Sequence, residues 1–294
     1  MAIHSHFLHN GELKKSSEPS LNPGQIGLLS GWGVFTTLRV VEGAPFAWER
    51  HWARMSRDAR LLNVAMPPDA DRVLAGLLRL IEINAADNST LRLAVVRNGG
   101  GIWQGASGSA PSDVIALTAP ARTWGESVRL AIQPAARYAA GEFTSAKILS
   151  WAPNLCWVER AQDQGFDEVI LLNEHGRAAE CTSANIFAVF GDSIVTPPVA
   201  EGCLPGITRE VLLEEIRVPG LRMAENALTL DDLYRADEVL ITSTTRGLLP
   251  VREIAGKTLN RGHDASNASL RLSAAFQTFF SRDIARRKSA PVLA

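Results

Sequence analysis

Between residues 33 and 62 the spacing of apolar positions changes once. "GVFTTLRVV" is β-branched and aromatic, Glu42-Gly43 marks a turn, the run resumes from Pro45 to Trp48, and the period then lengthens. This pattern predicts a hairpin followed by a helix. On the helix Trp48, Trp52, Met55, Ala59 and Leu62 recur at spacings of 4, 3, 4 and 3 and make one apolar stripe, while His51, Arg54 and Asp58 lie on the adjoining face. A second helix follows Asp69 through "DRVLAGLLRLIEINAA", and "TLRLAVVRN" and "SDVIALTAP" read as strands. The N-terminal stretch, with Lys14 and Lys15, reads as a polar loop.

Residues 119–127, "APARTWGES", carry the polar and turn-forming residues of a linker. The predicted division is therefore a small N-terminal domain, 1–118, and a larger C-terminal domain, 128–294. The second opens with a strand, "VRLAIQP", a segment containing Lys147, and a helix from about Pro153 that Gly165 stops. Four strands follow, "DEVILLN", "RAAEC", "ANIFAVF" and "SIVTP", with turns at Asn173 to Gly176 and at Gly191-Asp192. "GITREVLLEEIR" reads as a helix, "DEVLITS" as a buried strand, and about Asp264 to Arg287 as a closing helix whose basic last turn suits the macrodipole. Strands and helices without regular βα alternation predict an α+β fold.

Composition narrows the function classes. The chain has 294 residues, enough for two ordinary domains or one large one. Its 30 basic and 31 acidic side chains nearly cancel, which leaves no basic field for nucleic acid. Cys156, Cys181 and Cys203 lack the close pairing of a metal site, so reduced thiols, a cytoplasmic setting and no metal are expected. The N-terminus has no apolar signal core, and Arg79 interrupts the longest greasy run, "VLAGLLRLIEI", so no membrane span is expected.

Only five residues are lysine, and four of them read as ordinary surface charges. Lys147, in "FTSAKILSW", alternates with Leu149 and Trp151 on one strand-like face, so part of its stem must be enclosed. Enclosure lowers an amine's pKa toward neutrality, and a neutral amine is what imine formation with an aldehyde requires. A snorkelling lysine at a strand end is the other reading. Glu180 sits in "RAAECTSANIF" among small residues, where a buried carboxylate needs a cationic or hydrogen-bonding partner. A pyridine nitrogen is one candidate, a surface arginine another. "GCLPGITRE" places Ile207 and Thr208 at a helix start, either a phosphate seat or a plain threonine cap. "LITSTTRG" ends a strand in Ser243, Thr244 and Thr245, a hydroxyl cup or a polar turn, and Arg54 either adds a cation or is solvated. "GWGVFT" begins like a dinucleotide fingerprint but lacks the third glycine and precedes a strand, so it is not one.

Taken in order, "GWGVFTTLRVVEG", "HWARM", Lys147, "GFDEVILLN", "AAECTSANIF", "TPP", "LPGITRE" and "DEVLITSTTRGLLPV" resemble the class IV, fold-type IV pyridoxal-phosphate enzymes. These include branched-chain and D-amino-acid aminotransferases and 4-amino-4-deoxychorismate lyase. The resemblance runs from about Gly31 to Val251. It implies a small N-terminal α/β sandwich, a larger C-terminal pseudo-barrel, pyridoxal 5′-phosphate in a cleft between them, small amino and keto acid substrates, and a homodimer. By this likeness Lys147 is the Schiff-base lysine, Glu180 the partner of the pyridine nitrogen, and Arg54, Ile207, Thr208 and Thr244 the phosphate ligands, with Ser243 beside them. Many relatives carry a tyrosine five positions after the lysine, where this chain has Ala152.

The arginine-rich sequence of branched-chain aminotransferases and the Arg-x-His trap of the D-amino-acid enzymes are not apparent around "LRLAVVRNGGGIWQG". Arg97 there is a candidate carboxylate binder or a surface charge. "FTTLRV" and "ECTSANIF" look like the lyase, in which Thr37 would protonate the leaving pyruvyl fragment. The expected activity is transamination first and the lyase second.

Overall fold

Asn10 and Gly11 both take left-handed backbone angles, φ 52° and 86°, the geometry of a two-residue hairpin turn whose twist matches the flanking strands. The N-terminal stretch expected to be a loop is accordingly a hairpin, β1 (His6–His9) and β2 (Glu12–Lys15). Its polar side chains hide the strand pattern, and the Asn-Gly pair is the signal that was passed over. The structure, a computed structural model, describes residues 2–18, 24–100, 110–259 and 268–289. The chain forms two units, Met1–Arg122 with Ala146–Trp151 and Phe280–Ala294, and Thr123–Ser145 with Ala152–Phe279.

In the first unit follow α1 (Ile26–Ser30), β3 (Gly33–Val41), β4 (Ala44–Pro45), α2 (Trp48–Leu61), α3 (Ala70–Ile83), β5 (Ser89–Arg97) and β6 (Ser112–Pro120). The expected turn is present, with Glu42 and Gly43 at φ 50° and 77°. The strand expected to run to Trp48 stops at Pro45, because Ala47 turns left-handed, φ 51°, and Trp48 already begins α2. Asp69 caps α3 by accepting the Arg72 N–H at 2.9 Å.

The strands make an antiparallel sheet in the order β2-β1-β6-β5-β3-β4. Val34, Leu38, Leu91, Leu93 and Val95 from the sheet pack with Trp48, Met55, Leu77 and Leu80 from α2 and α3 in one core. Each such buried side chain contributes about 1.5–3 kcal/mol. Side chains alternate along a strand, so Phe35, Thr37, Arg92 and Ala94 stand on the opposite face.

The second unit contains β7 (Val128–Arg137), α4 (Ala152–Asp163), β8 (Glu168–Asn173), β9 (Arg177–Cys181), β10 (Asn185–Phe190), β11 (Ser193–Thr196), α5 (Ile207–Glu214), β12 (Arg222–Glu225), β13 (Leu228–Thr229), α6 (Leu230–Arg235), β14 (Glu238–Ser243), β15 (Gly247–Ile254), β16 (Lys257–Thr258) and most of α7 (Ala268–Ser289). The start of the closing helix expected at Asp264 lies outside the described residues.

These strands form a mixed sheet in the order β12-β11-β10-β14-β15-β7-β8-β9-β13, with β16 on β15. The order forces the sheet to curl. β9 and β10 are five places apart, about 24 Å in a flat sheet at about 4.8 Å per strand. Yet only residues 182–184 join them, a connection that spans about 14 Å at most. The inner core of the resulting half-barrel includes Leu130, Ile170, Ile186, Val239, Ile241 and Val251. The fold is α+β with a barrel-like second unit, as the pattern of elements and the resemblance predict.

Candidate active site

Residues 147–149 lie along the start of β3. Phe35 N–H donates to the Lys147 carbonyl at 3.1 Å, and Leu149 N–H donates to the Gly33 carbonyl at 3.0 Å. Glycine is needed for this approach. A Cβ on Gly33 would stand 2.6 Å from both Leu149 Cδ1 and the Val95 carbonyl, and one on Gly31 would stand 2.6 Å from Ser150 Oγ. The two glycines of "GWG" thus admit the lysine segment beside β3, which gives the abandoned fingerprint a physical role.

The Lys147 side chain lies on the face of the sheet that carries Phe35, opposite α2. Its Nζ lies 4.6 Å from the centroid of the Phe35 ring and 5.0 Å from that of Trp151. The two rings meet edge to face at 5.4 Å. Arg92 Cζ lies 3.9 Å from the same Phe35 centroid, and Thr37 is the direct cross-strand partner of Arg92. Burial lowers the pKa of Arg92 from its ordinary value. Among the described residues no carboxylate pairs with it. Arg97 is engaged otherwise: its guanidinium donates to the Gly99 and Asn63 carbonyls at 2.8 and 3.1 Å and stacks over Trp32 at 4.1 Å.

Behind the sheet, α2 presents three polar residues. Arg54, 7 % exposed, donates from Nη2 to Thr36 Oγ1 at 2.9 Å. Thr36 Oγ1 also lies 2.6 Å from His51 Nδ1. Asp58 accepts the Lys147 N–H at 3.0 Å. Arg54 is therefore not the solvated helix-face arginine that its position on the polar side of the stripe allows.

In the second unit Glu180 is 6 % exposed. Its partner is Arg137, whose Nε and Nη2 each lie 3.2 Å from Oε1, and Oε2 accepts the Leu204 N–H at 3.1 Å. Arg137 reaches this place through a bulge in β7. The register with β8 shifts between Gln133 and Arg137, and Ala135 is left-handed at φ 50°, a device that re-aims the next side chain. The loop that offers Leu204 also begins α5, and Asn185 Nδ2 donates to the Leu204 carbonyl at 2.8 Å.

The N-cap of α5 is Gly206, with no side-chain cap, so threonine capping does not account for Thr208. A Cβ at Gly206 would meet Asn185 Oδ1 at 2.1 Å. Ile207 and Thr208 occupy the first two helical positions, where backbone N–H groups have no intrahelical partner. Thr208 Oγ1 is buried and makes no hydrogen bond. Ser243 ends β14, and its Oγ accepts the Arg246 N–H at 3.3 Å, closing the half-buried turn that carries Thr244. Arg246 fixes this turn to the β9–β10 connection and to the start of β8: Nη1 donates to Ser183 Oγ at 2.9 Å and Nη2 to Glu168 Oε2 at 3.0 Å.

The first unit thus has Lys147, Arg92 and Thr37 on one sheet face with Arg54 behind it; in the second, Leu204 joins Glu180 to the loop that starts α5 with Ile207 and Thr208, and Ser243 and Thr244 lie on the turn that Arg246 ties to Ser183. Arg92, Arg137, Thr36 and His51 were not anticipated. For Arg92 a signal existed: in "TLRLAVV" it alternates with Leu91 and Leu93, which places it away from the core.

The curled sheet of the second unit is the architecture of fold-type IV enzymes. A solved structure described as a hypothetical aminotransferase from Mycobacterium tuberculosis, in a PLP-bound form, superposes with a TM-score of 0.81 at 23% identity, over 93% of this chain and 99% of that one. The family profile of amino-transferase class IV matches residues 33–254. A putative branched-chain-amino-acid aminotransferase of Methanocaldococcus jannaschii is 30% identical over 254 residues, 85% of this chain and 88% of its own. A D-alanine aminotransferase of Bacillus licheniformis is 29% identical over 259 residues, 87% and 90% of the two chains. The chain belongs to the class IV aminotransferase family. It is an enzyme of a pyridoxal-phosphate-dependent class.

The residues present fit that cofactor. An uncapped helix start beside a buried hydroxyl without a partner suits a phosphate group, and a buried carboxylate suits a protonated ring nitrogen. Among the described residues no group of three or more His, Cys, Asp or Glu side chains is placed to hold a metal ion, and no helix is long and apolar enough to cross a membrane.

Proposed function

We propose that the enzyme moves an amino group between an amino acid or amine and a 2-oxo acid, with Lys147 as the lysine that holds the cofactor's aldehyde. Lys147 and Glu180 would serve the same pyridoxal phosphate, Glu180 at the ring nitrogen, and Arg54, Ile207, Thr208, Ser243 and Thr244 at the phosphate. Bound, this cofactor supplies an aldehyde that accepts an amino group and a ring that draws electrons from the substrate's α-carbon.

The observation that carries the reading is the Phe35 ring, against which both Lys147 Nζ and the Arg92 guanidinium lie, 4.6 and 3.9 Å from its centroid. An amine and a cation on one face are what an amino acid requires. Arg92 binds the substrate carboxylate, since a desolvated guanidinium without an acidic partner is set for one. Lys147 Nζ takes the proton from the α-carbon and returns it. We assign the carboxylate to Arg92 in preference to Arg97, which is tied to two backbone carbonyls through Nε and Nη1. Phe35 and Trp151 cover the amine and limit its contact with water. Trp151 is one position before Ala152, where many relatives have tyrosine.

The lyase reading rests on one feature, the placement of Thr37 directly across from Arg92, where its hydroxyl would donate the proton to a leaving pyruvyl group. The test is a panel of L- and D-amino acids with pyruvate and 2-oxoglutarate as acceptors. Amino transfer from at least one donor supports the proposal. Release of pyruvate and 4-aminobenzoate from aminodeoxychorismate without any acceptor replaces it with the lyase. We also propose a homodimer, checked by sedimentation equilibrium, and a reducing cytoplasmic setting, which suits three free thiols, two of them buried.

A further inference from the structure

His51, Thr36 and Arg54 form a chain of three buried polar side chains in the layer between α2 and the sheet, beside Val34, Leu38 and Met55. Polar groups in such a layer cost stability unless each is hydrogen-bonded. Thr36 Oγ1 accepts from Arg54 Nη2 at 2.9 Å and lies 2.6 Å from His51 Nδ1. Arginine only donates, and a hydroxyl has one proton to give. Between Thr36 and His51 the imidazole tautomer sets which of the two donates. Burial, together with the charges of Arg54, Lys147 and Arg287, holds the His51 pKa well below its ordinary value. Arg54 thus donates to Thr36, and with either imidazole tautomer Thr36 Oγ1 is held between Arg54 and His51.

An arginine side chain loses much rotational freedom when it is fixed on a ligand, and fixing it beforehand removes that cost from binding. We infer that Thr36 and His51 are positioning residues for Arg54, holding its guanidinium ready for the phosphate group of the cofactor. The inference rests on the assignment of Arg54 to that phosphate.

The test compares pyridoxal phosphate with pyridoxal, which lacks the phosphate, in titrations of the apoprotein followed by absorbance. Thr36→Val keeps the volume and removes the hydroxyl. It should raise the Kd for pyridoxal phosphate about tenfold, the range of one lost hydrogen bond to a charged group, and leave the Kd for pyridoxal within about twofold. Thr36→Ser, which keeps the hydroxyl, should restore wild-type affinity. If Thr36→Val does not fold, His51→Leu, which removes the other hydrogen-bond partner of Thr36, takes its place in the same comparison. Equal weakening of both ligands, or of neither, overturns the inference and leaves the proposed function standing. A wild-type protein that binds the two ligands equally, or binds neither, overturns the phosphate assignment and the inference with it.

Discussion

The backbone N–H of Lys147 donates to the carboxylate of Asp58 at 3.0 Å, so the proposed reacting lysine is anchored by the helix that also carries Arg54. Asp58 is 1 % exposed and is paired with Arg57 through Nε at 2.9 Å. Replacing Asp58 by alanine removes the charged acceptor of this half-buried N–H, a loss of about 1–3 kcal/mol. Asp58→Asn retains an acceptor and should recover most of it. Urea denaturation of the two variants checks this, and equal stabilities would show that the contact is idle.

Gly33→Ala should strain the approach of the lysine segment, because the new methyl meets the Val95 carbonyl at 2.6 Å, a backbone atom that cannot swing aside. Overpacking of this kind costs about 1–3 kcal/mol. The expected result is a lower Tm together with slower reductive trapping at Lys147. Gly11→Ala, whose methyl would meet nothing within 4 Å, serves as a control: it pays only the cost of its left-handed backbone, and its trapping rate stays that of the wild type.

His51 makes stability depend on pH in a defined window. In the unfolded chain it takes up a proton as the pH falls through about 6.5, whereas in the folded protein burial keeps it neutral to well below that value. The unfolded state then binds more protons, so this contribution is fully present above about pH 7 and is lost by up to about 1.4 kcal/mol per unit as the pH drops toward 5. The difference in unfolding free energy between wild type and His51→Asn should shrink over that range. The depressed carboxyls of Glu49 and Asp283 act at lower pH, below the usual carboxylate values. A wild-type curve parallel to that of the variant would contradict the buried neutral imidazole.

Removal of Arg137 takes away the ion pair that Glu180 makes at 3.2 Å, in a place where the two side chains are 16% and 9% exposed. Such a loss costs about 3–5 kcal/mol in a closed interior, and the remaining Leu204 N–H places Arg137→Ala at the lower end. The double variant Arg137→Ala with Glu180→Gln should be more stable than Arg137→Ala alone, because the charge is gone. A double variant less stable than the single would show that the pair does not compensate a buried charge.

Much of this arrangement was legible because local patterns and tertiary contacts agree. The stripe on α2, the helix after Asp69 and the short strands around Glu180 follow from spacing, and the residues proposed for the site come from the resemblance. What was missed depends on pairing at a distance. Nothing in "FTSAKILSW" says that it lies along Gly33 to Phe35. The partner of Glu180 is Arg137, a residue that a bulge re-aims and that no periodicity marks. The hydrophilic hairpin at Asn10-Gly11 was hidden by its composition, and the curl of the second sheet follows only once the strand order is known. Arg97 drew notice over Arg92 because it sits beside a glycine-rich run, part of which, from residue 101, lies outside the described residues.

The central claim is that one enclosed amine carries the cofactor. The direct measurement is borohydride reduction of the protein loaded with pyridoxal phosphate, followed by peptide mass spectrometry. The account predicts a single phosphopyridoxyl adduct on Lys147, absent from Lys147→Ala; an adduct on any of the other four lysines, or none, would contradict it.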